Sequence, residues 1–249
     1  MRKHTFMSLL ILVLTVVFAL SGCASTQLVE PIETVSEPSV PEVPIVVETP
    51  EAEPVAEVVQ PTVTDTVVKI ITTSDMHGSL FPYDFIRDAE AAVSQMQIAS
   101  YVNEQRAMDQ HVILLDNGDI LQGQPIVYYY NFVKTEVPHI VPSVMNAMNY
   151  DAASVGNHDI EAGPDVYMRV YDEADFPFLA ANAVLIDTGE PVVDPYVIIT
   201  RGGIRIAVLG MTTPYIPKWL PQNLYEGVRF DDMVQTARKW IPIIQQREQ

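Results

Sequence analysis

The amino-acid sequence predicts an α/β fold built around a largely parallel sheet, and two observations lead to this prediction. Short apolar runs alternate along the chain with segments of helical character, as expected when helices connect neighbouring strands. The runs at residues 67–73, 111–115 and 152–155 are mostly apolar, which is typical of strands buried on both faces. Each of these strands is followed by a cluster of polar residues. Ligands bind beyond the carboxyl ends of strands in open α/β sheets, so these clusters are the candidate functional residues.

The remaining elements follow from apolar spacing and from turn residues. Five segments are predicted to be helical, namely residues 88–108, 124–132, 142–149, 165–174 and 231–246. A fourth strand is predicted at residues 176–180. Gly202 and Gly203 lie between apolar runs at 196–200 and 204–209 and predict a hairpin, which adds an antiparallel component to the fold.

Charge and cysteine content exclude some classes of function. The formal net charge of −18 at pH 7 argues against duplex nucleic acid as a partner, because contacts with phosphates need Lys and Arg. Cys23 is the only cysteine among 249 residues, so no intramolecular disulfide can form. This length allows one sizeable domain with appendages. The sequence implies no protein partner.

The first 23 residues have the pattern of a secretory signal. Basic residues precede an apolar run at 9–20 that is short for a membrane span. The run leads through Ser21 and Gly22 to Cys23, which resembles a bacterial lipoprotein signal whose cysteine becomes lipidated. An ordinary anchor helix with an incidental cysteine is the alternative. The lipoprotein interpretation predicts an extracytoplasmic protein that contacts the membrane through its lipid anchor only.

A linker is predicted at residues 24–66, which contain no Lys or Arg and are rich in Pro and Glu. Proline favours extended backbone and like charges repel one another, so this composition predicts a disordered spacer. The spacer would hold a catalytic domain, residues 67–249, away from the membrane.

The polar clusters at the three strand ends contain the residue types that bind divalent metal ions. Asp75 and His77 lie two residues apart, so in an extended segment both side chains point the same way and can bind one cation. The Asp119 carboxylate can bridge two cations, and the Asn157 amide can bind the second. Mixed oxygen and nitrogen ligands favour Mn, Fe, Co or Zn. Two such ions would activate a bridging water for attack on phosphorus.

Two residues near the third strand end are candidate catalytic groups. His158 follows Asn157 and is placed to act as a general acid on the leaving group. Glu161 lies three residues further along and can orient the imidazole. Asp116 and Asp159 are expected to support the loops rather than bind metal.

Two other features allow more than one interpretation. Asn182 follows the fourth strand, and a hydrogen bond to a loop near the site is one role for it. The three tyrosines at 128–130 resemble a platform on which bases stack, but a core or interface stripe is the favoured interpretation.

The three strand ends together resemble the D-x-H, G-D and G-N-H-[DE] blocks of calcineurin-like metallophosphoesterases. The matching segments are Asp75-Met76-His77, Gly118-Asp119 and Gly156-Asn157-His158-Asp159. About forty residues separate successive blocks, which suits one strand–helix unit each. Within this family the chain resembles the secreted 5′-nucleotidase group, and in that group the 2′,3′-cyclic-nucleotide 2′-phosphodiesterases/3′-nucleotidases. Segments that carry the narrower likeness are Asp116-Asn117-Gly118-Asp119, Gln122-Gly123, Phe176-Pro177 and Thr213-Pro214.

The resemblance implies an αββα sandwich with mixed sheets that holds two divalent metal ions. Asp75, His77 and Asp119 would bind the first ion, and Asp119 and Asn157 the second. A hydroxide bridging the metals would attack phosphorus, with His158 contacting the phosphate. The implied reaction is hydrolysis of extracytoplasmic 2′,3′-cyclic nucleotides and 3′-nucleotides. The alternatives are a 5′-nucleotidase or UDP-sugar hydrolase and, in another class, a non-catalytic lipoprotein binding module.

The family also has metal-binding histidines in two later blocks and a C-terminal domain that holds the base, and the sequence contains neither. The chain stops at Gln249 inside the last predicted helix, without a capping glycine or a polar tail. We therefore expect an N-terminal fragment whose domain is incomplete at its C-terminus. Alone, it is expected to bind metal weakly and to hydrolyse phosphodiesters poorly or not at all.

Overall fold

The structure is a computed structural model and describes residues 65–248. The predictions for the signal peptide with Cys23, and for the linker up to residue 64, lie outside the described residues. Within residues 65–248, no helix is both long and apolar enough to span a membrane.

Residues 65–248 form ten strands and seven α-helices. The strands are β1 Lys69–Thr73, β2 Tyr83–Asp84, β3 Ala89–Glu90, β4 Val112–Asp116, β5 Ala152–Ser154, β6 Phe178–Leu179, β7 Ala183–Leu185, β8 Tyr196–Arg201, β9 Ile204–Leu209 and β10 Val228–Phe230. The helices are α1 Gln95–Met108, α2 Pro125–Phe132, α3 Ile140–Ala147, α4 Asn157–Glu161, α5 Pro164–Glu173, α6 Ile216–Trp219 and α7 Met233–Arg247. The α/β class predicted from the sequence is confirmed.

The central sheet contains four parallel strands in the order β1-β4-β5-β6. β4 lies inside this sheet, and Ile113 and Leu114 on it are fully buried, as predicted. β1 pairs with β4 along its whole length and forms an edge. Ile71 packs against the core, whereas Ile70 on the opposite face is 54% exposed. The prediction that β1 is buried on both faces is therefore wrong, because the described residues leave one face of this strand uncovered.

The antiparallel strands form separate two-stranded sheets beside the central one. The predicted hairpin is confirmed as β8 paired with β9. Its turn contains Gly202 and Gly203 with φ of 56° and 78°, a conformation that favours glycine. The Ala181 N–H donates to the carbonyl of Gly210 at 2.9 Å, which ties the end of the hairpin to the segment that follows β6.

Capping side chains determine where two of the helices begin. α1 starts after Ser94, whose hydroxyl accepts the N–H of Gln97 at 3.3 Å, so the predicted start at residue 88 is wrong. α7 starts after Asp232, whose carboxylate accepts the N–H of Gln235 at 2.9 Å, two residues later than predicted. Apolar periodicity extends beyond each cap, so it could not locate these boundaries.

The tyrosines of α2 do not form a core stripe, so the core half of the favoured interpretation is wrong, and the interface half stays a prediction. Tyr128 and Tyr129 are 62% and 43% exposed. Tyr130 is half-buried, and its ring lies 6.0 Å from that of the buried His139. A three-residue run on a helix spans most of one turn, so its members face different directions.

Asn182 is fully buried and clamps two loops that follow strands. Its Oδ1 accepts the N–H of Thr212 at 2.8 Å. Its Nδ2 donates to the carbonyls of Thr212 at 2.8 Å and Asp231 at 3.0 Å. The hydrogen bond to a loop that the sequence suggested is confirmed. One side chain thus joins the segments after β9 and β10 to the end of the central sheet.

Replacing Asn182 by Ala should lower the free energy of unfolding by about 3 kcal/mol, because three backbone groups lose their partner in a buried place. Urea denaturation measures this change. Asn103→Ala alters an exposed position of α1 and is the matched control, with an expected change within about 0.5 kcal/mol. Equal losses of unfolding free energy in the two variants would contradict the proposed role of Asn182 in holding these loops together.

Candidate metal centre

The carboxylate of Asp159 holds together two of the three strand ends that the sequence singled out. Asp159 is fully buried, and its Oδ1 accepts the N–H groups of Ile120 at 2.9 Å and Leu121 at 3.0 Å. Its Oδ2 accepts those of Asp119 at 3.0 Å and Gly156 at 2.8 Å. Hydrogen bonds to a carboxylate are roughly twice as strong as neutral ones. This side chain therefore fixes the loop after β4 against the loop after β5, which agrees with the structural role expected for it.

The loop after β1 is joined to the loop after β4 through the backbone. The Asp75 N–H donates to the carbonyl of Gly118 at 3.0 Å, and the His77 N–H donates to that of Asp119 at 2.9 Å. These bonds continue the contact between β1 and β4 beyond the ends of both strands. The loops that carry the predicted ligands therefore lie at one edge of the sheet.

Three of the predicted metal ligands have a backbone conformation that residues with side chains rarely adopt. The φ angle is 56° at Asp75, 46° at His77 and 64° at Asp119. Within residues 65–248, Asp88 and Asn149 are the other non-glycine residues with positive φ. Such a conformation costs of the order of 1–3 kcal/mol and persists where surrounding contacts impose it. Three of the five such residues in the described domain are therefore predicted ligands.

Glycines allow the strand ends to approach one another closely. A Cβ atom on Gly118 would lie 2.5 Å from the nitrogen of Gly156. A Cβ atom on Gly156 would overlap the carboxylate of Asp119. The glycines of the G-D and G-N-H segments are thus required by the packing of one loop on the other.

His158 lies in the first turn of α4, a helix that the sequence did not predict. Its backbone N–H donates to Asp119 Oδ1 at 2.8 Å. Its ring Nδ1 lies 2.7 Å from Oε2 of Glu161, and Gln122 Nε2 donates to the same oxygen at 3.0 Å. The rings of His158 and His77 meet edge to face with centroids 5.1 Å apart. The structure therefore brings the two predicted catalytic residues together beside two predicted ligands, Asp119 and His77.

The donor set at this edge of the sheet fits divalent metal ions. Asp75, Asp119, His77 and Asn157 offer two carboxylates, an imidazole and an amide, a combination that suits Mn, Fe, Co or Zn. Among residues 65–248, no three His, Cys, Asp or Glu side chains are grouped closely enough to hold an ion. Asp75 instead accepts a hydrogen bond from the Ser74 hydroxyl, and one Asp119 oxygen accepts a backbone N–H. Binding an ion would therefore require these side chains to move closer together.

Electrostatics at Asp119 favour a bound cation. Burial raises the pKa of the Asp119 carboxyl above its ordinary value, while the hydrogen bond from the His158 N–H lowers it. The carboxylates of Asp159 and Asp75 raise this pKa further. A divalent cation beside these groups would offset both the burial and the mutual repulsion.

Asp116 is buried at the end of β4, beneath the candidate centre. Its Oδ2 accepts a hydrogen bond from the Thr73 hydroxyl, and its Oδ1 accepts the N–H of Gly118 at 2.8 Å. Burial raises the pKa of Asp116 to about 7, although both hydrogen bonds oppose the shift. The carboxylates of Asp159 and Asp119 add to it. The loop-supporting role expected for Asp116 agrees with these contacts.

No protein-family model matches the chain. A 2′,3′-cyclic-nucleotide 2′-phosphodiesterase/3′-nucleotidase of Yersinia enterocolitica is 30% identical to it over 187 residues, which make up 70% of this chain and 29% of that protein. The crystal structure of the calcineurin-like phosphoesterase YfkN of Bacillus subtilis matches with a TM-score of 0.64 and 31% identity, over 72% of this chain and 58% of that one. The chain is a homologue of the calcineurin-like phosphoesterases.

A second curated relative is a 5′-nucleotidase of Vibrio cholerae, 29% identical over 181 residues, which are 72% of this chain and 31% of that protein. The chain therefore spans less than a third of the length of both curated relatives. The family resemblance indicated by three short motifs is confirmed, and with it the fold. The homologues carry the names of phosphoesterases and nucleotidases.

Replacing Asp159 by Asn should loosen the two loops that it joins. An amide group replaces one acceptor oxygen, so two of the four backbone N–H groups lose their partner, and we expect a loss of about 2–4 kcal/mol in the free energy of unfolding. Hydrogen exchange of the amides at residues 119–121 should accelerate. Asp165→Asn, at an exposed position in the first turn of α5, is the control. Unchanged exchange at residues 119–121 would show that Asp159 does not hold them.

Asp116 should make stability depend on pH. Its folded pKa of about 7 exceeds the ordinary value of 3.8, so the folded chain keeps a proton that the unfolded chain releases. The stabilising contribution is complete below pH 3.8 and is lost as the pH rises through about 7. Asp116→Asn cannot ionise and keeps an oxygen for the Gly118 N–H. Relative to the unaltered chain, its free energy of unfolding should rise by up to about 4 kcal/mol between about pH 4 and pH 8.

Urea denaturation in the presence of EDTA, repeated across that pH range, measures the difference between the two proteins. EDTA removes metal ions that would otherwise favour the ionised carboxyl. A difference that stays constant with pH would contradict the raised pKa of Asp116.

Proposed function

We propose that this chain acts in metal-dependent hydrolysis of nucleotide phosphoesters, with 2′,3′-cyclic nucleotides and 3′-nucleotides as substrates. The observation that carries the proposal is the convergence of three strand ends that together offer carboxylate, imidazole and amide donors. Two sets of hydrogen bonds hold the loops together at this edge of the sheet. The Asp159 carboxylate accepts one set, and the backbone N–H groups of Asp75 and His77 donate the other. Homology to a cyclic-nucleotide phosphodiesterase/3′-nucleotidase supports the choice of substrate.

Two divalent ions are the cofactors in this proposal. Asp75, His77 and Asp119 would hold one ion, and Asp119 and Asn157 the other. The half-buried position of Asp119 between the other two loops suits a bridging carboxylate. Bound ions would supply positive charge against the phosphoryl oxygens and an activated water.

His158 is the proposed phosphate-contacting and proton-transferring residue. Glu161 engages its Nδ1 at 2.7 Å, which fixes the ring and leaves Nε2 as the nitrogen that can reach a substrate oxygen. Gln122 Nε2 donates to the same Glu161 oxygen at 3.0 Å and helps to hold the carboxylate. This arrangement lets the imidazole hydrogen-bond a phosphate oxygen or protonate the leaving oxygen, a role worth about 10²–10⁴ in rate.

A 5′-nucleotidase is the second candidate, and the Vibrio cholerae relative favours it. The two activities use the same metal-binding and histidine groups and differ in which phosphoester faces them. We also propose an extracytoplasmic location, with a lipid on Cys23 and residues 24–66 as the spacer; the leader composition supports both.

The proposed reaction can be tested by phosphate release from adenosine 2′,3′-cyclic phosphate, 3′-AMP and 5′-AMP with excess Mn²⁺. We expect slow release that favours the first two substrates and stops on addition of EDTA. Asp119→Asn should lose Mn²⁺ and turnover, because an amide oxygen cannot bridge two cations as a carboxylate does. His158→Ala should keep Mn²⁺ and lose about 10²–10⁴-fold in kcat.

His111→Ala is the matched control, since His111 lies at the start of β4, away from the candidate centre. It should retain both metal and turnover. Retention of Mn²⁺ by Asp119→Asn, measured by electron paramagnetic resonance, would remove the bridging role. Full turnover by His158→Ala would remove the catalytic role, and the absence of both Mn²⁺ binding and phosphate release from all three nucleotides would overturn the enzymatic proposal. Faster release from 5′-AMP would select the second candidate.

A further inference from the structure

Glu161 lies at the end of a short helix, and its side chain is partly open to solvent. It is the last residue of the five-residue helix α4, and its side chain is 38% exposed. A long, exposed side chain loses conformational entropy when it is held in one conformation, and this cost opposes the contact. A second partner for the carboxylate would therefore strengthen its 2.7 Å contact with Nδ1 of His158.

Gln122 supplies that second partner from a different segment of the chain. Its Nε2 donates at 3.0 Å to Glu161 Oε2, the same oxygen that lies 2.7 Å from Nδ1 of His158. Gln122 belongs to the loop after β4, whereas Glu161 and His158 belong to α4. The three side chains line one pocket of about 250 Å³. A contact between two segments thus holds the carboxylate against the imidazole.

The main chain next to Gln122 is fixed by buried groups. The N–H of Leu121 donates to Asp159 Oδ1 at 3.0 Å, and the Leu121 carbonyl accepts Nδ2 of Asn131 at 2.8 Å. Asp159 and Asn131 are both buried, and Asn131 Oδ1 lies 2.8 Å from Nε2 of the buried His139. The exposed side chain of Gln122 therefore extends from a backbone whose position is well determined.

The hydrogen bonds at Glu161 determine which nitrogen of the imidazole carries a proton. An ionised carboxylate accepts hydrogen bonds and donates none, so Glu161 favours the form of His158 with a proton on Nδ1. Gln122 keeps the accepting oxygen in place because its amide N–H donates to that oxygen. If the carboxylate turned away, the neutral ring would revert to its intrinsic preference for a proton on Nε2.

We propose that Gln122 is a positioning residue for His158, which acts by holding the Glu161 carboxylate against the imidazole. The inference rests on the proposed function and assigns a role in it to a residue that works through Glu161. The feature that matters is a hydrogen-bond donor at position 122. A side chain of the same length without a donor therefore cannot replace Gln122, whereas a different side chain with a donor can.

Nitrogen-15 NMR of the full chain with labelled histidine tests the inference without metal or turnover. In EDTA at about pH 9, well above the ordinary pKa of an imidazole, the ring nitrogens of His158 report its tautomer. The spectrum of His158→Ala assigns these signals. We expect a protonated Nδ1 in the unaltered chain and in Gln122→Lys, which keeps a donor.

Gln122→Ala and Gln122→Glu remove the donor. Each should lower the ratio of the Nδ1–H to the Nε2–H tautomer about two- to ten-fold, the net effect of one hydrogen bond. With Mn²⁺ present, kcat for adenosine 2′,3′-cyclic phosphate should fall by a similar factor while Mn²⁺ affinity stays unchanged, since Gln122 is not among the proposed ligands. Gln122→Lys should retain kcat.

Gln222→Ala is the matched control, because Gln222 is an exposed glutamine in the 3₁₀ helix Gln222–Leu224 and does not line the pocket. It should keep the tautomer ratio of the unaltered chain, and circular dichroism checks the fold of each variant. An Nε2–H tautomer in the unaltered chain, or an unchanged ratio in Gln122→Glu, would overturn the inference. Equal losses in Gln122→Lys and Gln122→Ala would show that the donor is not what matters.

The positioning role and the proposed reaction can fail separately. A tautomer ratio that follows the donor at position 122, in a chain that neither binds Mn²⁺ nor releases phosphate, retains the hold on His158 and removes the enzymatic proposal. Phosphate release that depends on His158, with a tautomer ratio and a kcat that are unchanged in Gln122→Glu, retains the reaction and removes the positioning role.

Discussion

Four backbone N–H groups that donate to one buried carboxylate hold the candidate centre together. Asp159 lies in α4, whereas three of its four donors come from residues 119–121, about one strand–helix unit earlier in the chain. A buried charge is costly unless it is fully hydrogen-bonded, and these donors satisfy both oxygens of the carboxylate. The interaction joins the loops that follow β4 and β5, which are paired side by side in the sheet. Assembly of the sheet and assembly of the centre are therefore coupled.

Asp119 is the point at which the three loops meet. Its N–H donates to Asp159, its carbonyl accepts the N–H of His77, and its Oδ1 accepts the N–H of His158. These contacts come from the segments after β1 and β5, and together they impose the positive φ of Asp119. The backbone of the centre is thus organised by the protein itself.

The sequence was most informative about functional residues that lie close together along the chain. Polar residues directly after buried strands located Asp75, His77, Asp119 and His158, and the order of three motifs identified the family. It was least informative about contacts between distant segments. Nothing in the local pattern shows that Asp159 reaches residues 119–121, or that Gln122 supports Glu161, because these contacts depend on how two strands lie side by side.

Short elements were also beyond the reach of periodicity. α4 has five residues, fewer than two turns, so it is too short for apolar spacing to predict it. Asn131 lies on the buried face of α2, whereas Tyr128 is exposed. Because Asn131 is polar, the spacing of apolar residues does not identify this buried face. In the second case the cause is that burial of a polar group with specific partners carries no periodic signal.

The left-handed residues restrict which amino acids can serve as ligands, independently of metal chemistry. Gly tolerates a positive φ, and Asp, Asn and His adopt it more often than other residues, whereas β-branched or bulky residues are penalised. At residue 119, glutamate would offer the same carboxylate yet conflict with the main chain, and alanine would remove the ligand and disfavour the turn at once. Backbone stereochemistry therefore limits which coordinating residues can occupy position 119, whichever metal ion binds.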